Sequence, residues 1–370
     1  MKIAIVQFYS YHEEVLAPQI DFLCHKYEVF LAAPESVFKN DYIFHLLDSV
    51  SPIIFRDIKK NKLFTLFNKL SIIGKYQKLL NAHRQNNFDL VIFNTITKNF
   101  HYSLIKFYFK RLKKIQIIHN GKHFLKKNNL KFLNIFDNNL FLSQDIYKRF
   151  RETISPYSAP LNWFCPLLSE KFVSHNKPGI AFDSQYINIA VPGSVNEKRR
   201  NYSSLFAALE NYRNKPALKF RIYLLGKISD RMLDKLKKHG IENIVFFYQK
   251  FISGCDMLNC IKNADAVAFL LDSGMGGSFH DYNNNKVSGT TNLCLSFGVP
   301  CIVSDEYKLE TALQEKAVFY KNDNIASILE NIENGSLTKG DFKKLSLLSV
   351  DKLYYYENQQ KHYLNAIGLD

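Results

Sequence analysis

Short apolar segments alternate with longer, mixed segments along the whole chain. Parallel strands must be joined by crossovers of a dozen or more residues, usually helices, so this alternation predicts parallel sheets with helices on both faces. We therefore expect an α/β protein. The predicted strands are residues 3–8, 29–33, 90–94, 115–119 and 139–143 in the first half and residues 186–191, 220–225, 244–248, 266–271 and 301–304 in the second half.

The pattern breaks near the middle of the chain, where Pro156, Pro160 and Pro166 fall within a short span. Prolines at this density favour an irregular connection, and a new series of strands and helices follows it. The chain of 370 residues is also longer than one domain usually is. We expect two Rossmann-like, doubly wound domains. They are residues 1–165 and residues 166–350, followed by a helix in residues 351–370 that can pack back on the first domain.

The cysteines and the apolar runs point to the cytoplasm. The six cysteines form no C-x-x-C pair, and most lie in apolar surroundings, as buried thiols do. No apolar run approaches the roughly 20 residues that cross a bilayer, and the first strand is too short for the apolar core of a signal peptide. A histidine and cysteine cluster and a D-x-D sequence are both missing, so we expect no metal ion and no resident cofactor.

The positive charge is concentrated in the first domain. The net charge is +15, of which residues 1–165 carry +12 and the remaining residues +3. This imbalance indicates an anionic partner, either nucleic acid or an anionic membrane surface. Because no nucleic-acid-binding motif is present, we expect no nucleic acid and a peripheral position at the inner face of the cytoplasmic membrane.

Two basic segments account for most of this excess charge. A basic helix with apolar side chains can lie in a membrane interface. The alternative is two ordinary amphipathic helices that pack on the sheet and leave their lysines in water. The residues concerned are Lys59, Lys60, Lys62, Leu63, Phe64, Phe67, Lys69, Ile72, Lys75 and Lys78 in the first segment, and Lys106, Phe107, Tyr108, Phe109, Lys110, Arg111, Lys113 and Lys114 in the second.

The second domain has features of an anion site where its strands end. Its first strand runs into a turn with Gly193 and Ser194, and Arg199 and Arg200 follow just before a helix. Cations at a helix start oppose the helix dipole unless an anion is present. The alternative is a tight turn and a solvated helix start. Further candidates at later strand ends are Lys227, Tyr248 and Lys250.

The run YNNNKVSGTTN, which precedes an apolar helix, has the same two interpretations. A lysine, small hydroxyl residues and a glycine suit a loop that binds phosphate at a helix N-terminus. Alternatively, Ser288 or Thr290 only caps the helix. The candidate phosphate-binding residues are Lys286, Ser288, Gly289, Thr290, Thr291 and Asn292.

These segments resemble the GT-B glycosyltransferases, above all in the sequence SFGVPCIVS at residues 296–304. The resemblance implies two Rossmann-like domains that face each other across a cleft, the second binding a nucleotide-sugar and the first binding the acceptor. Many retaining members carry two glutamates eight residues apart. Asn285 and Leu293 occupy those positions here, which leaves the ribose contact and the stereochemistry of transfer open.

Acceptor chemistry requires a base if transfer inverts the configuration. His12, Glu13 and Glu14 follow the first strand and are the candidates, although two glutamates at a helix start also favour the helix dipole. The resemblance supports His119 as a further cleft residue, whose alternative is a structural role. Three polar residues at strand ends are candidates for acceptor contacts, with turn capping as the alternative. These are Asn94, Thr95 and Asn120.

The sequence thus predicts a bacterial, metal-independent glycosyltransferase of polysaccharide biosynthesis, such as capsule or lipopolysaccharide synthesis. Its donor would be a nucleotide-sugar and its acceptor a cell-surface glycan or a lipid-linked glycan. The alternatives are a GT-B sugar-nucleotide epimerase or phosphorylase, and a non-enzymatic protein that binds anions or nucleic acid through its basic half. A phosphorylase would need a pyridoxal phosphate or a dedicated phosphate site, for which the chain looks short.

Overall fold

The computed structural model describes residues 1–10, 12–56, 65–96, 98–126, 129–173 and 182–369, and for residues 65–68 the backbone only. The chain folds into two compact units. The first combines Met1–Leu168 with Glu357–Asp370, and the second is Ser169–Tyr356.

The first unit is built on a parallel sheet of seven strands in the order β3-β2-β1-β4-β5-β6-β7. The central strand β1 is apolar on both faces, and Ile3, Ala4 and Ile5 are completely buried, as expected for a parallel strand that helices cover. Its strands are β1 (Lys2–Gln7), β2 (Glu28–Pro34), β3 (Val50–Phe55), β4 (Leu90–Asn94), β5 (Lys113–Ile118), β6 (Asn138–Phe141) and β7 (Leu161–Trp163), and its helices are α1 (Glu13–Cys24), α2 (Glu35–Phe38), α3 (Asp41–Phe44), α4 (Thr65–Asn86), α5 (Asn99–Tyr108) and α6 (Gln144–Ile154).

The second unit has a parallel sheet of six strands in the order β10-β9-β8-β11-β12-β13. Ile189, Leu224, Ala268 and Ile302, from four adjacent strands, belong to one buried core. The strands are β8 (Ile187–Val191), β9 (Phe220–Lys227), β10 (Val245–Tyr248), β11 (Ala266–Ala268), β12 (Cys301–Ser304) and β13 (Ala317–Tyr320), and the helices are α7 (Tyr202–Glu210), α8 (Asp230–His239), α9 (Gly254–Asn263), α10 (Gly277–Asn284), α11 (Gly289–Phe297), α12 (Ala326–Asn334) and α13 (Lys339–Leu347).

The helix that follows the second unit in sequence, α14 (Tyr356–Ala366), belongs to the first unit. Its buried Gln359 accepts a hydrogen bond from the Cys165 backbone N–H at 2.7 Å, and Tyr363 donates to Gln19 on α1 at 3.3 Å. Short 3-10 turns complete the two units. They are Leu47–Ser49, Gly121–His123, Leu130–Ile135, Glu170–Phe172, Ser273–Met275, Thr311–Lys316 and Lys352–Tyr354.

The predicted α/β class with two doubly wound, parallel sheets is confirmed, as is each predicted strand. Three strands were not predicted, and all are edge strands: β3, β7 and β13. Strand β3 contains Pro52, which an edge strand tolerates, and β7 has only three residues. Strand β11 ends at Ala268 rather than at residue 271, because the backbone of Leu270 turns into the left-handed region with φ of 52°.

Strand order reverses at one place in each sheet, between β1 and β4 in the first unit and between β8 and β11 in the second. The loops after β1 and β4 therefore lead to opposite faces of the first sheet, and the loops after β8 and β11 to opposite faces of the second. Each pair of loops leaves an opening at the carboxyl edge of its sheet. In open α/β sheets this opening is where ligands bind. Each unit has two residues with positive φ at this opening. They are His12 and Thr95 in the first unit, and Gly193 and Leu270 in the second.

Parts of the two basic segments are buried in the first unit. Lys75 is buried and donates to the carbonyl oxygen of Phe8 at 3.1 Å, and Lys114 is buried and donates to the carbonyl of Leu112. Ile72 and Phe109 are buried in the core as well. Ile72 and Phe109 thus pack in the core as the amphipathic alternative expects, whereas Lys75 and Lys114 are buried rather than solvated. Lys59, Lys60, Lys62, Leu63 and Phe64 lie outside the described residues, and of Phe67 only the backbone is described.

None of the helices in the described ranges is long and apolar enough to span a bilayer.

Candidate functional site

The carboxyl edge of the second sheet is shaped by two strained loops. Gly193 follows β8 with φ of 88°, which glycine adopts without cost. Leu270 follows β11 with φ of 52°, although it is buried and not a glycine. Its carbonyl oxygen accepts a hydrogen bond from the Asn201 backbone N–H at 2.9 Å, which ties the two loops together. Left-handed backbone at a bulky residue is typical of functional sites.

Arg200 is the buried cation of this edge. Its Nη2 donates to Thr290 Oγ1 at 2.9 Å, and its guanidinium lies against Gly193, where a Cβ atom would be only 3.1 Å from Nη1. The side chain is 7% exposed, and no carboxylate of the described residues lies within 4.0 Å of it. Its Nε is buried without a hydrogen-bond partner. The other predicted arginine, Arg199, is exposed to solvent.

The first turn of α11 meets Arg200 at Thr290. Ser288 is the N-cap, and its hydroxyl accepts a hydrogen bond from the Thr290 N–H at 3.3 Å, so the capping interpretation of Ser288 is correct. The next two residues bury polar atoms that have no hydrogen-bond partner, Thr291 Oγ1 and Asn292 Oδ1. Buried polar atoms are normally paired, so the three unpaired ones on Arg200 and in this turn mark a place where a ligand can bind.

Hydrogen bonds among Asp272, Asn201 and Tyr320, which the sequence analysis missed, stabilise this edge. Asp272, directly after β11, accepts hydrogen bonds from Asn201 Nδ2 at 2.8 Å, from the Gly274 N–H at 3.1 Å and from the Tyr320 hydroxyl at 3.2 Å. Burial raises the pKa of Asp272 above its usual value, although the hydrogen bonds from Asn201 and Tyr320 oppose this. The glycine-rich run that follows Asp272 was the available sequence signal.

The remaining predicted donor residues are spread over the same edge. Lys227, at the end of β9, has its Nζ 5.8 Å from the ring centre of the exposed Phe251, and Lys286 places its Nζ 3.9 Å over the ring of Tyr282. The Tyr248 hydroxyl is buried without a hydrogen-bond partner, and burial raises its pKa. Besides Arg199, the solvent-exposed members of the predicted set are Ser194, Lys227, Lys250 and Gly289.

The first unit brings four predicted residues together. His12 occupies the N-cap position of α1 with φ of 70°, and its ring centre lies 4.2 Å from that of His119. His12 Nδ1 is 3.2 Å from Glu14 Oε1. Burial, and then the neighbouring His12, lowers the pKa of His119 well below its usual range, and the His119 Nε2 has no hydrogen-bond partner. At neutral pH His119 is therefore an uncharged imidazole.

Glu13 begins α1 beside this histidine pair. Burial raises the pKa of its carboxyl group, the backbone N–H groups at the helix start oppose that effect, and Glu14 adds to it. A carboxylate whose pKa is raised towards neutrality is a better general base than an ordinary glutamate. The structure thus places the Glu13 carboxylate, with its raised pKa, beside His12, whose ring lies against the neutral imidazole of His119.

The three residues predicted to contact the acceptor lie in different environments. Asn94 is buried, and its Oδ1 accepts a hydrogen bond from Gln19 at 3.1 Å, whereas its Nδ2 has no partner. Thr95 has φ of 52° and a buried hydroxyl without a partner. Asn120 caps a 3-10 turn by accepting from the Lys122 N–H at 2.9 Å, which is the capping alternative.

A further group of polar residues adjoins the loop after β1 and was not predicted. The buried His101 of α5 contacts the Tyr9 hydroxyl through Nε2 at 3.1 Å and the Tyr76 hydroxyl through Nδ1 at 3.0 Å. Burial, then Lys98 and Lys75, lowers the pKa of His101 to about 4. A histidine within an apolar helix pattern gives no sequence signal of this arrangement.

Asp21, Cys24 and His25 form the single group of three potential metal ligands within the described ranges, with ligand atoms within 4.8 Å of one another. The group lies at the C-terminal end of α1, whereas His12 and Glu13 lie at its N-terminal end. His25 Nε2 is 3.6 Å from Asp21 Oδ1. Because helices run antiparallel to the strands they connect, this group is remote from the carboxyl edge of the sheet.

No protein-family model and no curated protein matches the sequence. Solved structures do match over the full length. HepE of Anabaena, determined with UDP and glucose, has a TM-score of 0.67 at 13% identity, with 99% of this chain and 99% of HepE covered. The fold is GT-B. At this identity the likeness establishes the fold alone.

Two other structures illustrate the breadth of the GT-B fold. A Listeria monocytogenes protein described as a UDP-N-acetylglucosamine 2-epimerase has a TM-score of 0.66 at 12% identity, with 99% of this chain and 95% of that chain covered. Sucrose-phosphate synthase of Thermosynechococcus elongatus has a TM-score of 0.63 at 11% identity, with 100% and 96% covered. The predicted GT-B resemblance is confirmed.

The turn at Gly193 depends on a glycine in the neighbouring strand. A Cβ at Gly226 would lie 2.0 Å from the carbonyl oxygen of Gly193, so Gly226→Ala must displace the backbone of that turn. We expect the free energy of unfolding to fall by about 1–3 kcal/mol, as for other overpacked sites. The measurement is urea unfolding followed by circular dichroism.

Gly74→Ala is the matched control for this substitution. Gly74 lies within α4, and a Cβ there would have no neighbour within 4 Å. Replacing a glycine inside a helix with alanine should stabilise the protein by roughly 0.5–1 kcal/mol. Equal stability of Gly226→Ala and the wild type would contradict the tight contact at Gly193.

Proposed function

We propose that this protein is a glycosyltransferase that moves a sugar from a nucleotide-sugar to a cell-surface glycan or a lipid-linked acceptor. The observation that carries the proposal is the buried Arg200, which lies at the start of α11 without a carboxylate partner. The other features of the two carboxyl edges are consistent with it.

Burying a guanidinium without an anion is costly, because the charge loses its hydration and gains little in return. Placing it at a helix N-terminus adds repulsion from the partial positive charge of the helix dipole. A dianionic diphosphate offsets both costs when it binds, since it can accept hydrogen bonds from Arg200 while its charge lies at the N-terminal end of the α11 dipole. A bound diphosphate would therefore offset the cost of burying the charge of Arg200.

The structural neighbours support a nucleoside diphosphate as the source of these phosphates. HepE was solved with UDP and glucose, and a further GT-B structure, MnaA of S. aureus, was solved with UDP. The loop at Gly193, Arg200 and the first turn of α11 form the site that we assign to the diphosphate, with Lys286 as an additional cation.

The proposed reaction is a direct displacement at the anomeric carbon. Glu13 accepts the proton of the acceptor hydroxyl, and the acceptor oxygen forms a bond to the anomeric carbon. The bond from that carbon to the diphosphate oxygen breaks, and its electron pair leaves with the diphosphate. Arg200 and the α11 N–H groups stabilise the developing charge, which is the role that a metal ion has in other enzymes. Asn285 and Leu293 leave this edge without the two glutamates of many retaining members.

The diphosphate assignment predicts opposite effects of one substitution on stability and on binding. Arg200→Met should leave the free energy of unfolding of the ligand-free protein unchanged or higher, because it removes a buried, unpaired charge. Its affinity for UDP should fall at least about tenfold, since charge-assisted hydrogen bonds contribute about 1.5–3 kcal/mol. Titration calorimetry with UDP and urea unfolding measure the two quantities.

Arg199→Met is the control for Arg200→Met. It removes the same side chain from the adjacent, exposed position, so its affinity for UDP should stay within about threefold of wild type, because solvent screens an exposed charge. Unchanged UDP affinity in Arg200→Met would remove the diphosphate from this site. Conversion of a UDP-sugar to its epimer without any acceptor would replace glycosyl transfer by the epimerase alternative.

The base assignment predicts a loss of turnover without a loss of donor binding. Glu13→Gln should lower kcat by about two orders of magnitude, because the amide cannot accept the proton. In the wild type, kcat/KM should fall with decreasing pH at a higher pH than for an ordinary glutamate, since burial raises the pKa of Glu13. The measurement is initial rates against pH together with UDP affinity. Near wild-type rates in Glu13→Gln, Glu14→Gln and His12→Ala would exclude this loop, and His119 would be tested next.

We also propose that the protein works at the inner face of the cytoplasmic membrane. Between residues 58 and 136 the sequence has 17 lysines and arginines and one acidic residue, Asp89. The Asp89 carboxylate accepts a hydrogen bond from the Lys2 N–H at 2.7 Å. Helices α4 and α5 expose Leu70 and Phe107, the latter to 78%, among these cations. Exposed apolar side chains among cations suit an anionic lipid surface better than they suit nucleic acid.

This proposal predicts salt-sensitive binding to vesicles of phosphatidylcholine with about 30% phosphatidylglycerol. Binding should weaken from about 0.1 M to about 1 M salt as the Debye length falls from about 10 Å to about 3 Å. Lys106→Glu with Lys110→Glu should weaken it at least about tenfold, since each lysine contributes about 1 kcal/mol. Lys237→Glu with Lys238→Glu, at the end of α8, is the charge-matched control. No sedimentation with vesicles at low salt, or equal loss in both double variants, would reject the membrane surface.

A further inference from the structure

Strand β4 ends in a buried carboxamide whose nitrogen has no partner among the described residues. Asn94 is the last residue of β4, and it lies beside β1 where the strand order of the first sheet reverses. The residue is 1% exposed, and its Nδ2 makes no hydrogen bond. At the next residue, Thr95, the backbone turns into the left-handed region with φ of 52°. Two N–H donors are thus buried without an acceptor, which costs free energy in the ligand-free protein.

The orientation of the Asn94 carboxamide follows from Gln19 of α1. Gln19 Nε2 lies 2.9 Å from the carbonyl oxygen of Val15, which can only accept a hydrogen bond, so the Gln19 atom at this place must be the nitrogen. The same Nε2 donates to Asn94 at 3.1 Å, so the Asn94 atom that faces it must be Oδ1. Tyr363 of α14 donates to the remaining atom of the carboxamide, Gln19 Oε1, at 3.3 Å. The Asn94 nitrogen is therefore directed away from Gln19.

This network places the unpaired donors near the start of α1. The carbonyl of Val15 belongs to the first turn of that helix, two residues after Glu13. Asn94 Oδ1 shares one NH2 group with this carbonyl, so the Asn94 carboxamide lies at the level of the first turn. Glu13 is the residue that we assign as the base for the acceptor hydroxyl. The acceptor sugar must therefore approach the end of α1 at which Asn94 lies.

We propose that Asn94 is a specificity-determining residue whose Nδ2 donates a hydrogen bond to a carbonyl oxygen of an N-acetylated acceptor sugar. Gln19 is the positioning residue that keeps this nitrogen directed towards the ligand. Nδ2 has only hydrogens to offer, so it matches an oxygen that has lone pairs and no hydrogen of its own. The carboxamide is uncharged and could not neutralise a buried carboxylate, which favours the neutral carbonyl of an N-acetyl group. This role rests on the proposed glycosyl transfer, because the acceptor is what Nδ2 would contact.

The test compares two acceptors that differ in one substituent, 4-nitrophenyl N-acetyl-β-glucosaminide and 4-nitrophenyl β-glucoside. Titration calorimetry measures their affinities for the UDP-bound protein, and initial rates with UDP-sugars measure their KM values. Wild type should prefer the N-acetylated glycoside by about 3- to 10-fold, the value of one neutral hydrogen bond. Asn94→Asp keeps the shape of the side chain and the oxygen that faces Gln19, but it replaces the free donor with an oxygen. It should abolish the preference and leave UDP affinity unchanged.

Gln19→Met tests the positioning role, with Tyr363→Phe as the matched control. Gln19→Met removes the donor that orients Asn94, so the preference should fall although Asn94 itself is intact. Tyr363→Phe removes the partner of the other end of the same carboxamide, whereas Val15 still orients Gln19. It should lower thermal stability and keep the wild-type preference. A structural role alone would reduce the preference in both variants in proportion to their loss of stability.

The outcomes separate this inference from the proposed function. Equal affinities of wild type for the two glycosides, or an unchanged preference in Asn94→Asp, overturn the role of Asn94 even if transfer is observed. A preference that Asn94→Asp removes, in a protein that transfers no sugar, supports the role of Asn94 and counts against the proposed function. Asn94→Leu makes the same test if Asn94→Asp does not fold, since it also removes the donor and keeps the size of the side chain.

Discussion

The hydrogen bond from Arg200 to Thr290 connects the loop after β8 with the helix after β11, and the second unit is organised around it. Arg200 fits there because Gly193 has no side chain and because Gly226 allows the turn at Gly193 to lie against β9. Asn201, the next residue, is held by the backbone of Leu270 and by Asp272. Three segments that are distant in sequence thus fix one guanidinium, and this rigidity is what a diphosphate site needs in order to discriminate charge at low entropic cost.

The carboxyl edge of the first sheet carries a different set of side chains. Its edge has no buried arginine, and polar residues with neutral forms dominate it: His119, His101 and the Tyr9 and Tyr76 hydroxyls. Glu13 is the acidic residue with a raised pKa in this group. Cations favour a charged leaving group, whereas a carboxylate with a raised pKa favours transfer of a proton from a hydroxyl. The two units thus have different chemistry at their carboxyl edges, and the proposed glycosyl transfer uses both.

The sequence was sufficient for the fold class and for part of the site. Short apolar runs predict parallel strands because a strand that is buried on both faces is apolar at nearly every position. Edge strands such as β3 do not follow this pattern, because one side is exposed to solvent. Arg200 was predicted because a cation before a helix is locally anomalous, and Thr290 because small hydroxyl residues and a glycine precede an apolar helix. Asp272, Tyr320 and His101 were not, because their partners are distant in sequence and hydrogen bonding leaves no periodic signal. Lys75 was taken for a surface cation, since sequence pattern does not reveal that a lysine reaches a buried carbonyl oxygen.

Helix α14 is synthesised last but belongs to the first unit, and this affects the order in which the two units can fold. The ribosome completes Ser169–Tyr356 before it reaches the residues that bury Gln359 and Tyr363 against Cys165 and α1. Domains generally fold as units while synthesis proceeds. The second unit can therefore fold on the ribosome while the first still exposes the apolar surface that α14 covers. The first unit starts to be synthesised first but completes its fold last. Between completion of the second unit and docking of α14, the nascent chain is most exposed to aggregation and to chaperones.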